Sequence, residues 1–296
     1  MSKQPLLRGW FLNHKYPFLF AGVLLMASGT VVSDSSALAN KSVETRSPSG
    51  QGRVQKAKAI PHRGTAVPQA QETSENDPLG SPYPIPWSWI MKTYEQVSST
   101  RGSGVRQYRT PAVISPDGKF AAYTRVQMQV KPELYESRVS SVMFVENLET
   151  GELRVISATS PLANTPKPNE AADMPGVISV LVPVSWSAGG DRLLARQFEG
   201  GLSASDASDY AVVWERQSNR ATTIAPGENV GYSNATLLGW SQANPNQVIF
   251  RAGELGDEKM PLWAVGMNGQ TVAAVEDQPV VFGRTMRYAW AGPQAF

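Results

Sequence analysis

The chain has 296 residues, of which 41% are hydrophobic, and its 27 basic and 25 acidic side chains give a net charge of +2. This length and apolar content suffice for one large or two small domains. A nucleic-acid surface requires a concentrated basic field, and the near-neutral balance excludes nucleic acid as a predicted partner. Cysteine is absent, which excludes disulfides and thiol chemistry, so a folded body must be held by its core.

Residues 1–39 have the pattern of a secretory signal peptide. A basic leader precedes an apolar run from Phe18 to Val32, and Ala37 and Ala39 then form the small-x-small pattern that signal peptidase cleaves. The apolar run is shorter than the roughly 20 residues that span a bilayer comfortably. We therefore expect export to the periplasm or a similar compartment, with cleavage after Ala39. An uncleaved anchor in the inner membrane is the alternative.

Residues 40–80 are predicted to form a disordered linker. They are rich in Ser, Pro, Gln, Thr and Lys and contain almost no large apolar side chains, so burial cannot offset the entropy of ordering them. A basic first half is followed by an acidic end that contains Glu72, Glu75 and Asp77. A solvated spacer is the simpler interpretation, and a basic arm that touches anionic lipid or polymer is the alternative.

Residues 81–108 are predicted to hold one short amphipathic helix followed by a joint. Pro82, Pro84 and Pro86 favour an extended approach to the helix. Apolar side chains then recur at helical spacing, at Trp87, Ile90, Met91, Tyr94 and Val97. We expect this stripe to cap an exposed end of the sheet structure that follows. The alternative is a membrane or partner-docking face, because two nearby tryptophans suit an interface.

Residues 109–296 have a β pattern, with short apolar runs separated by turn residues. The predicted strands are Ala112–Ser115, Phe120–Val130, Val139–Asn147 and Leu153–Ser157 in a first unit, Val182–Ser187, Arg192–Phe198, Tyr210–Arg216 and Ala221–Ala225 in a second, and Thr236–Ser241, Gln247–Ala252, Leu262–Met267 and Thr271–Val275 in a third. Thr285–Pro293 is predicted to add one further first strand. Four short strands at a repeating interval are typical of a propeller blade.

A two-residue motif recurs at the end of each first strand. Ile114-Ser115, Trp186-Ser187 and Trp240-Ser241 occupy equivalent places, and Trp290 takes the same place in the extra strand. In the first unit the serine opens the turn Ser115-Pro116-Asp117-Gly118, in which Pro fixes φ while Asp and Gly tolerate the tight backbone. This turn and the Phe144–Gly151 segment resemble the WD40-like repeat of TolB-like propellers. With the two degenerate copies, the resemblance extends over about residues 109–296.

The resemblance implies an all-β fold, a partial or small β-propeller with three recognisable blades and an extra strand. In such a fold Trp186, Trp240 and Trp290 are core or inter-blade packing residues. Closed propellers have at least four blades, which leaves three ways of closure open. In the first, the helix and long loops cover the open side. In the second, a fourth degenerate blade forms from residues 285–296 with strands near residues 105–108. In the third, a homodimer completes a six-bladed ring.

The residues available for catalysis are few. Both histidines, His14 and His62, precede the predicted folded body, which therefore lacks a Ser-His-Asp triad and histidine-ligated metal. The sequence contains neither a phosphate-binding loop nor a nucleophile elbow. Asp206 and Asp209 lie in a predicted Ser-rich loop without the spacing of a calcium loop. We predict no catalytic residue, no metal ligand and no cofactor.

The function predicted from these features is that of an exported, non-enzymatic TolB-like propeller that binds a protein or an envelope polymer. Contact with a membrane is expected only through the N-terminal segment, if it is retained. One alternative is an accessory or catalytic domain that acts on cell-envelope glycan with carboxylate chemistry. The other is a membrane-anchored structural spacer.

Overall fold

A computed structural model describes residues 65–66, 77–156, 175–254, 256–257 and 259–295 of the chain. The predicted signal peptide, with Ala37 and Ala39, and most of the predicted linker lie outside these residues. Strands make up 50% and helices 9% of the described part. The predicted all-β class is therefore confirmed, and the sheets do not close into a barrel.

The helix and strands follow the order of the chain. They are β1 (Thr65–Ala66), α1 (Trp87–Ser98), β2 (Gly104–Arg109), β3 (Ala112–Ile114), β4 (Phe120–Val130), β5 (Arg138–Asn147), β6 (Leu153–Ile156), β7 (Val177–Trp186), β8 (Arg192–Gly201), β9 (Ala207–Glu215), β10 (Arg220–Ile224), β11 (Asn234–Ser241), β12 (Gln247–Gly253), β13 (Leu262–Gly266), β14 (Thr271–Ala273), β15 (Pro279–Val281), β16 (Arg284–Met286) and β17 (Gly292–Pro293). Two 3₁₀ turns lie at Leu134–Glu136 and Glu228–Val230.

The predicted strand units form three antiparallel four-stranded meanders. We call them meander 1 (β3–β6), meander 2 (β7–β10) and meander 3 (β11–β14), and in each of them every strand pairs with the next. β2 and β3 follow one another along the same edge of β4, and β2 pairs with the far half of β4. Meanders 1 and 2 are joined by a single parallel pair, Val139 with Ile178. The number and order of strands in the three predicted units are thus confirmed.

Meander 2 is buried on both faces. Leu193 and Ala195 of β8 pack with residues of meander 1, whereas Leu194, between them, packs with residues of meander 3. Successive side chains of a strand point to opposite faces, so a strand that is covered on both sides requires apolar residues at consecutive positions. This explains why β7 and the start of β8 are continuous apolar runs rather than alternating ones.

The helix α1 is held by packing rather than by its caps. It follows Pro86, has no side-chain cap and carries no acidic residue in its first turn. Ile90 is fully buried in a cluster with Val126 and Met128 of β4. A helix this short is marginal alone, so the apolar contact stabilises it. The structure thus contains the predicted helix, and Ile90 packs on β4. No α-helix in the part of the chain that the structure describes is long and apolar enough to cross a bilayer.

One C-terminal segment, residues 279–286, crosses the first strands of all three meanders. We call it the crossing segment. Val280 lies opposite Trp240, Phe282 opposite Trp186, and Arg284 opposite Ile114. Trp240, Trp186 and Ile114 are the equivalent positions of the sequence repeat. Residues 280, 282 and 284 of the crossing segment therefore pair with one repeat position each. One extended segment thereby ties together three meanders that are separate in sequence.

The predicted extra strand over Thr285–Pro293 is wrong in its extent and pairing. The structure has two short strands there, β16 beside β3 and β17 beside β2. Trp290 does not occupy the place equivalent to Trp186. Its ring centroid lies 5.0 Å from that of Tyr123, on the outer face of meander 1. Trp290 packs there because Tyr123 and Phe144 form an aromatic face on meander 1. The local strand pattern around Trp290 carries no sign of this distant contact.

The predicted linker also differs from the structure at its end. Asp77 is buried and, with Leu79, belongs to the folded body, and the short strand β1 pairs with β15. Asp77 belongs to the folded body because it forms an ion pair at 2.6 Å with Arg196 of β8, a residue far away in the sequence. Local composition carries no sign of such a partner.

Candidate functional site

The serines of the repeat motif have the same structural role in each meander. The hydroxyls of Ser115, Ser187 and Ser241 donate to Asp117, Asp191 and Asp277, each at 2.5 Å. The same hydroxyls accept backbone N–H groups of Phe120, Arg192 and Asn244 at 2.8–3.0 Å. Pro116 and Gly118 complete the first of these turns, in which the Gly118 N–H donates to the carbonyl of Ser115. The three serine hydroxyls are thus engaged both as donors and as acceptors in holding the turns.

The two tryptophans of the motif that lie on strands are core residues. Trp186 and Trp240 are fully buried. The indole N–H of Trp186 donates to the carbonyl of Val113 at 3.0 Å and so links meander 2 to meander 1. Trp240 belongs to the core between meanders 2 and 3. Neither ring can form an exposed stacking platform, which agrees with the predicted packing role.

A cleft of about 930 Å³ lies where the crossing segment, α1 and the first strands meet. Its size falls within the range of small-molecule sites. One wall is formed by residues 82–96, which include most of α1, and another by Val182–Val184 of β7. Residues 106–113 of β2 and β3, residues 281–287 of the crossing segment and its continuation, and Pro293–Gln294 complete it. We call this the central cleft.

Aromatic contacts fix the helical wall of the central cleft. The rings of Trp89 and Tyr108 lie 5.3 Å apart and join α1 to β2. Tyr83 donates its hydroxyl to the carbonyl of Leu238 in meander 3 at 2.9 Å. Burial raises the pKa of the Tyr83 phenol well above its ordinary value, so it remains a neutral hydrogen-bond donor. Residues that are far apart in sequence therefore form a preorganised wall.

A buried charge network fastens the segment that leads into this wall. Arg196 donates to Asp77 at 2.6 Å and to Asp209 at 2.7 Å, and all three side chains are completely buried. Asp77 also accepts the backbone N–H groups of Leu79, Ser81 and Ile85. Asp209 lies in β9 and not in the predicted Ser-rich loop. Burial raises its pKa to about 6, against the opposing effects of Arg196 and of the Leu237 N–H.

The charge that lines the central cleft has one sign. Lys92, Arg106, Arg284 and Arg287 lie in its walls, and no Asp or Glu is among its lining residues. Lys92, Arg284 and Arg287 are exposed, and their side chains form no ion pair with another described residue. A cleft with charges of one sign and apolar walls focuses its field and attracts ligands of the opposite charge. These residues come from separate segments, so no sequence motif marks them.

The central cleft is lined by cations, amides, hydroxyls and aromatic rings. Within the described ranges no cluster of three or more His, Cys, Asp or Glu side chains could hold a metal ion. The central cleft has no carboxylate that could act as a general base or acid. Its functional groups are guanidinium and ammonium cations, amides, hydroxyls and aromatic rings. Groups of these kinds suit the binding and orientation of a ligand.

Comparisons of the chain with protein-family models and with curated proteins found no match. The resemblance to the TolB-like repeat therefore rests on the motif residues of the chain itself.

Proposed function

We propose that the protein is an exported, non-enzymatic binding protein that receives part of a partner protein or envelope polymer in the central cleft. The observation that carries the proposal is the cleft itself, a preformed cavity of about 930 Å³ with aromatic walls and cationic groups. Ligand sites combine such apolar walls with a small number of placed polar groups. The three meanders serve as the rigid scaffold, in the manner of a partial TolB-like propeller, and the predicted signal peptide supports export.

The lining of the cleft favours binding over glycan hydrolysis. Most glycosidases require two carboxyl groups on either side of the scissile bond, and the central cleft is lined by none. The buried acids Asp77 and Asp209 are engaged with Arg196 in the fold. A binding site needs no such pair.

The experiment compares two Gln→Trp variants of residues 40–296, the chain that the predicted cleavage after Ala39 would leave and which we call the mature chain, in a pull-down from an envelope extract. Gln96→Trp places an indole on the face of α1 that lines the central cleft, whereas Gln217→Trp places one in the exposed turn between β9 and β10. We expect the wild type and Gln217→Trp to retain the same partner and Gln96→Trp to lose it, while circular dichroism shows that both variants are folded. Equal retention by the two variants, or release of soluble sugar from cell-wall glycan by the mature chain, would refute the proposal.

A further inference from the structure

We infer that the ligand of the central cleft is an acidic, extended peptide segment of a partner protein. The inference rests on the proposed function, because it names the ligand class of the same site. Its starting point is the charge of the walls, which include Lys92, Arg284 and Arg287 and no carboxylate. An acidic ligand supplies the counter-charges that the described residues of the cleft do not.

The cations come from two elements, which suits a ligand that lies along the cleft. Lys92 is on α1, while Arg284 is on β16 and Arg287 follows it directly. A guanidinium binds a carboxylate through a two-pronged hydrogen bond, and an ammonium binds it as a point charge. Carboxylates placed at more than one position along the ligand can therefore be held at the same time.

The apolar part of the walls suits peptide side chains. Trp87, Tyr108 and Phe282 are half-buried and line the cleft beside the cations. Aromatic rings provide large, rigid contact area, and aromatic residues and arginine are enriched in the centres of protein interfaces. A ligand with apolar side chains between its acidic ones matches both kinds of surface.

The backbone of the crossing segment favours a peptide over a saccharide. β1 adds to β15 on the side away from β11, so this segment already accepts an added strand. Among the described strands, its continuation β16 pairs with β3 alone. An extended peptide gains main-chain hydrogen bonds at such an edge. A saccharide has many hydroxyl groups that donate hydrogen bonds, and carboxylates are strong acceptors for them. The lining residues include no carboxylate.

The test selects random short peptides from a display library on the wild-type mature chain and on the double variant Arg284→Glu/Arg287→Glu. We expect acidic peptides with apolar residues to be enriched on the wild type and basic peptides on the variant. The affinity of a selected acidic peptide, measured by fluorescence anisotropy, should fall at least about tenfold in the double variant and should weaken as salt rises from about 50 to about 300 mM.

The matched control is Arg220→Glu/Lys259→Glu, which changes the net charge by the same amount at exposed positions outside the cleft. It should select the same peptides as the wild type. The inference is overturned if the selected peptides show no acidic preference, if that preference survives in Arg284→Glu/Arg287→Glu, or if an acidic oligogalacturonate binds the cleft and acidic peptides do not.

Failure of the ligand class can be told apart from failure of the proposed function. Neutral or basic peptides, or the oligosaccharide, that lose binding in Gln96→Trp would contradict the acidic peptide and leave the cleft as the binding site. Ligands of any class that bind Gln96→Trp as well as the wild type would contradict both proposals.

Discussion

Gly283 shows how a single residue permits the crossing segment to pair with two meanders in succession. It has φ +91°, and a Cβ added there would lie 2.3 Å from the carbonyl oxygen of Ile114 and 3.3 Å from Cδ1 of Trp186. The first of these atoms belongs to the backbone of β3 and the second to a buried ring, so neither can move away easily. Only glycine fits between Phe282 and Arg284 without displacing one of these pairings.

We expect Gly283→Ala to lower the free energy of unfolding by about 2 kcal/mol or more, because backbone strain and a steric clash coincide. Urea denaturation measures the change. Gly269→Ala is the control, since Gly269 also has a positive φ, of +80°, but a Cβ there would meet no atom within 4 Å. It should cost about 1 kcal/mol. Equal losses in the two variants would show that the crossing segment is not closely packed.

Asp209 should give the folded state a pH dependence of known sign. Burial raises the pKa of Asp209 to about 6 from its ordinary 3.8, so the folded chain holds this proton more tightly than the unfolded chain does. The stability that this group contributes is therefore complete below about pH 4 and is lost as the pH rises through about 6.

The measurement is the difference in unfolding free energy between the wild type and Asp209→Asn, followed from about pH 4 to about pH 7. We expect the advantage of the wild type to shrink as the pH rises across this window. Asp206→Asn, which changes an exposed carboxylate three residues earlier, controls for the change in net charge. An advantage that grows with pH would contradict the burial of Asp209.

At the scale of elements, one buried cation holds the segment that leads into α1. Arg196 of β8 contacts Asp77, Asp209 and the carbonyl of Tyr83. Removal of one partner from a buried ionic network leaves a charge without compensation, at a cost of about 3–5 kcal/mol. The position of the helical wall of the central cleft therefore depends on a residue of meander 2.

We expect Arg196→Met to destabilise the fold by about 3 kcal/mol or more and to speed amide hydrogen exchange at Leu79, Ser81 and Ile85. Arg216→Met is the matched control, because Arg216 pairs with Asp117 at 3.4 Å and the side chains are 37% and 32% exposed. Its loss should be at most about 1 kcal/mol. A similar effect of both substitutions would mean that the buried network does not fasten the segment.

The elements differ in how far the sequence predicts them. The helix and the strands of the three meanders depend on neighbouring residues, such as the apolar run of β7 and the Ser115 turn, so local pattern predicts them well. β15 and β16 are three residues long and owe their conformation to distant partners. The central cleft is missed for the same reason, because Lys92, Gln107 and Arg284 meet only after the chain has folded.

At the scale of the whole molecule, the stack of meanders ends in two faces. The outer face of meander 1 carries Tyr288 and Trp290 of the C-terminal segment, and beyond them Val142 and Val155 remain 42% and 60% exposed. Val272 of meander 3 is 43% exposed. Of the three closures considered, the two-chain ring would cover these positions, and it stays one of the three alternatives.

The two-chain closure is tested by the mass of the mature chain in solution. If two chains close the ring, light scattering at high micromolar concentration gives a dimer for the wild type and a monomer for the double variant Val142→Asp/Val155→Asp, because buried carboxylates oppose an apolar interface. Tyr135→Asp, at a side chain that is 59% exposed in the 3₁₀ turn between β4 and β5, should leave the dimer intact. A wild-type monomer at every concentration would exclude this closure and would leave the central cleft unaffected.

The central claim, that the cleft is the binding site, is tested most directly by hydrogen–deuterium exchange of the mature chain with and without its captured partner or a selected peptide. We expect new protection at residues 82–96, 106–113 and 281–287, the lining of the central cleft, and little change on the outer faces of meanders 1 and 3. Protection confined to those outer faces, with exchange in the cleft unchanged, would contradict the claim.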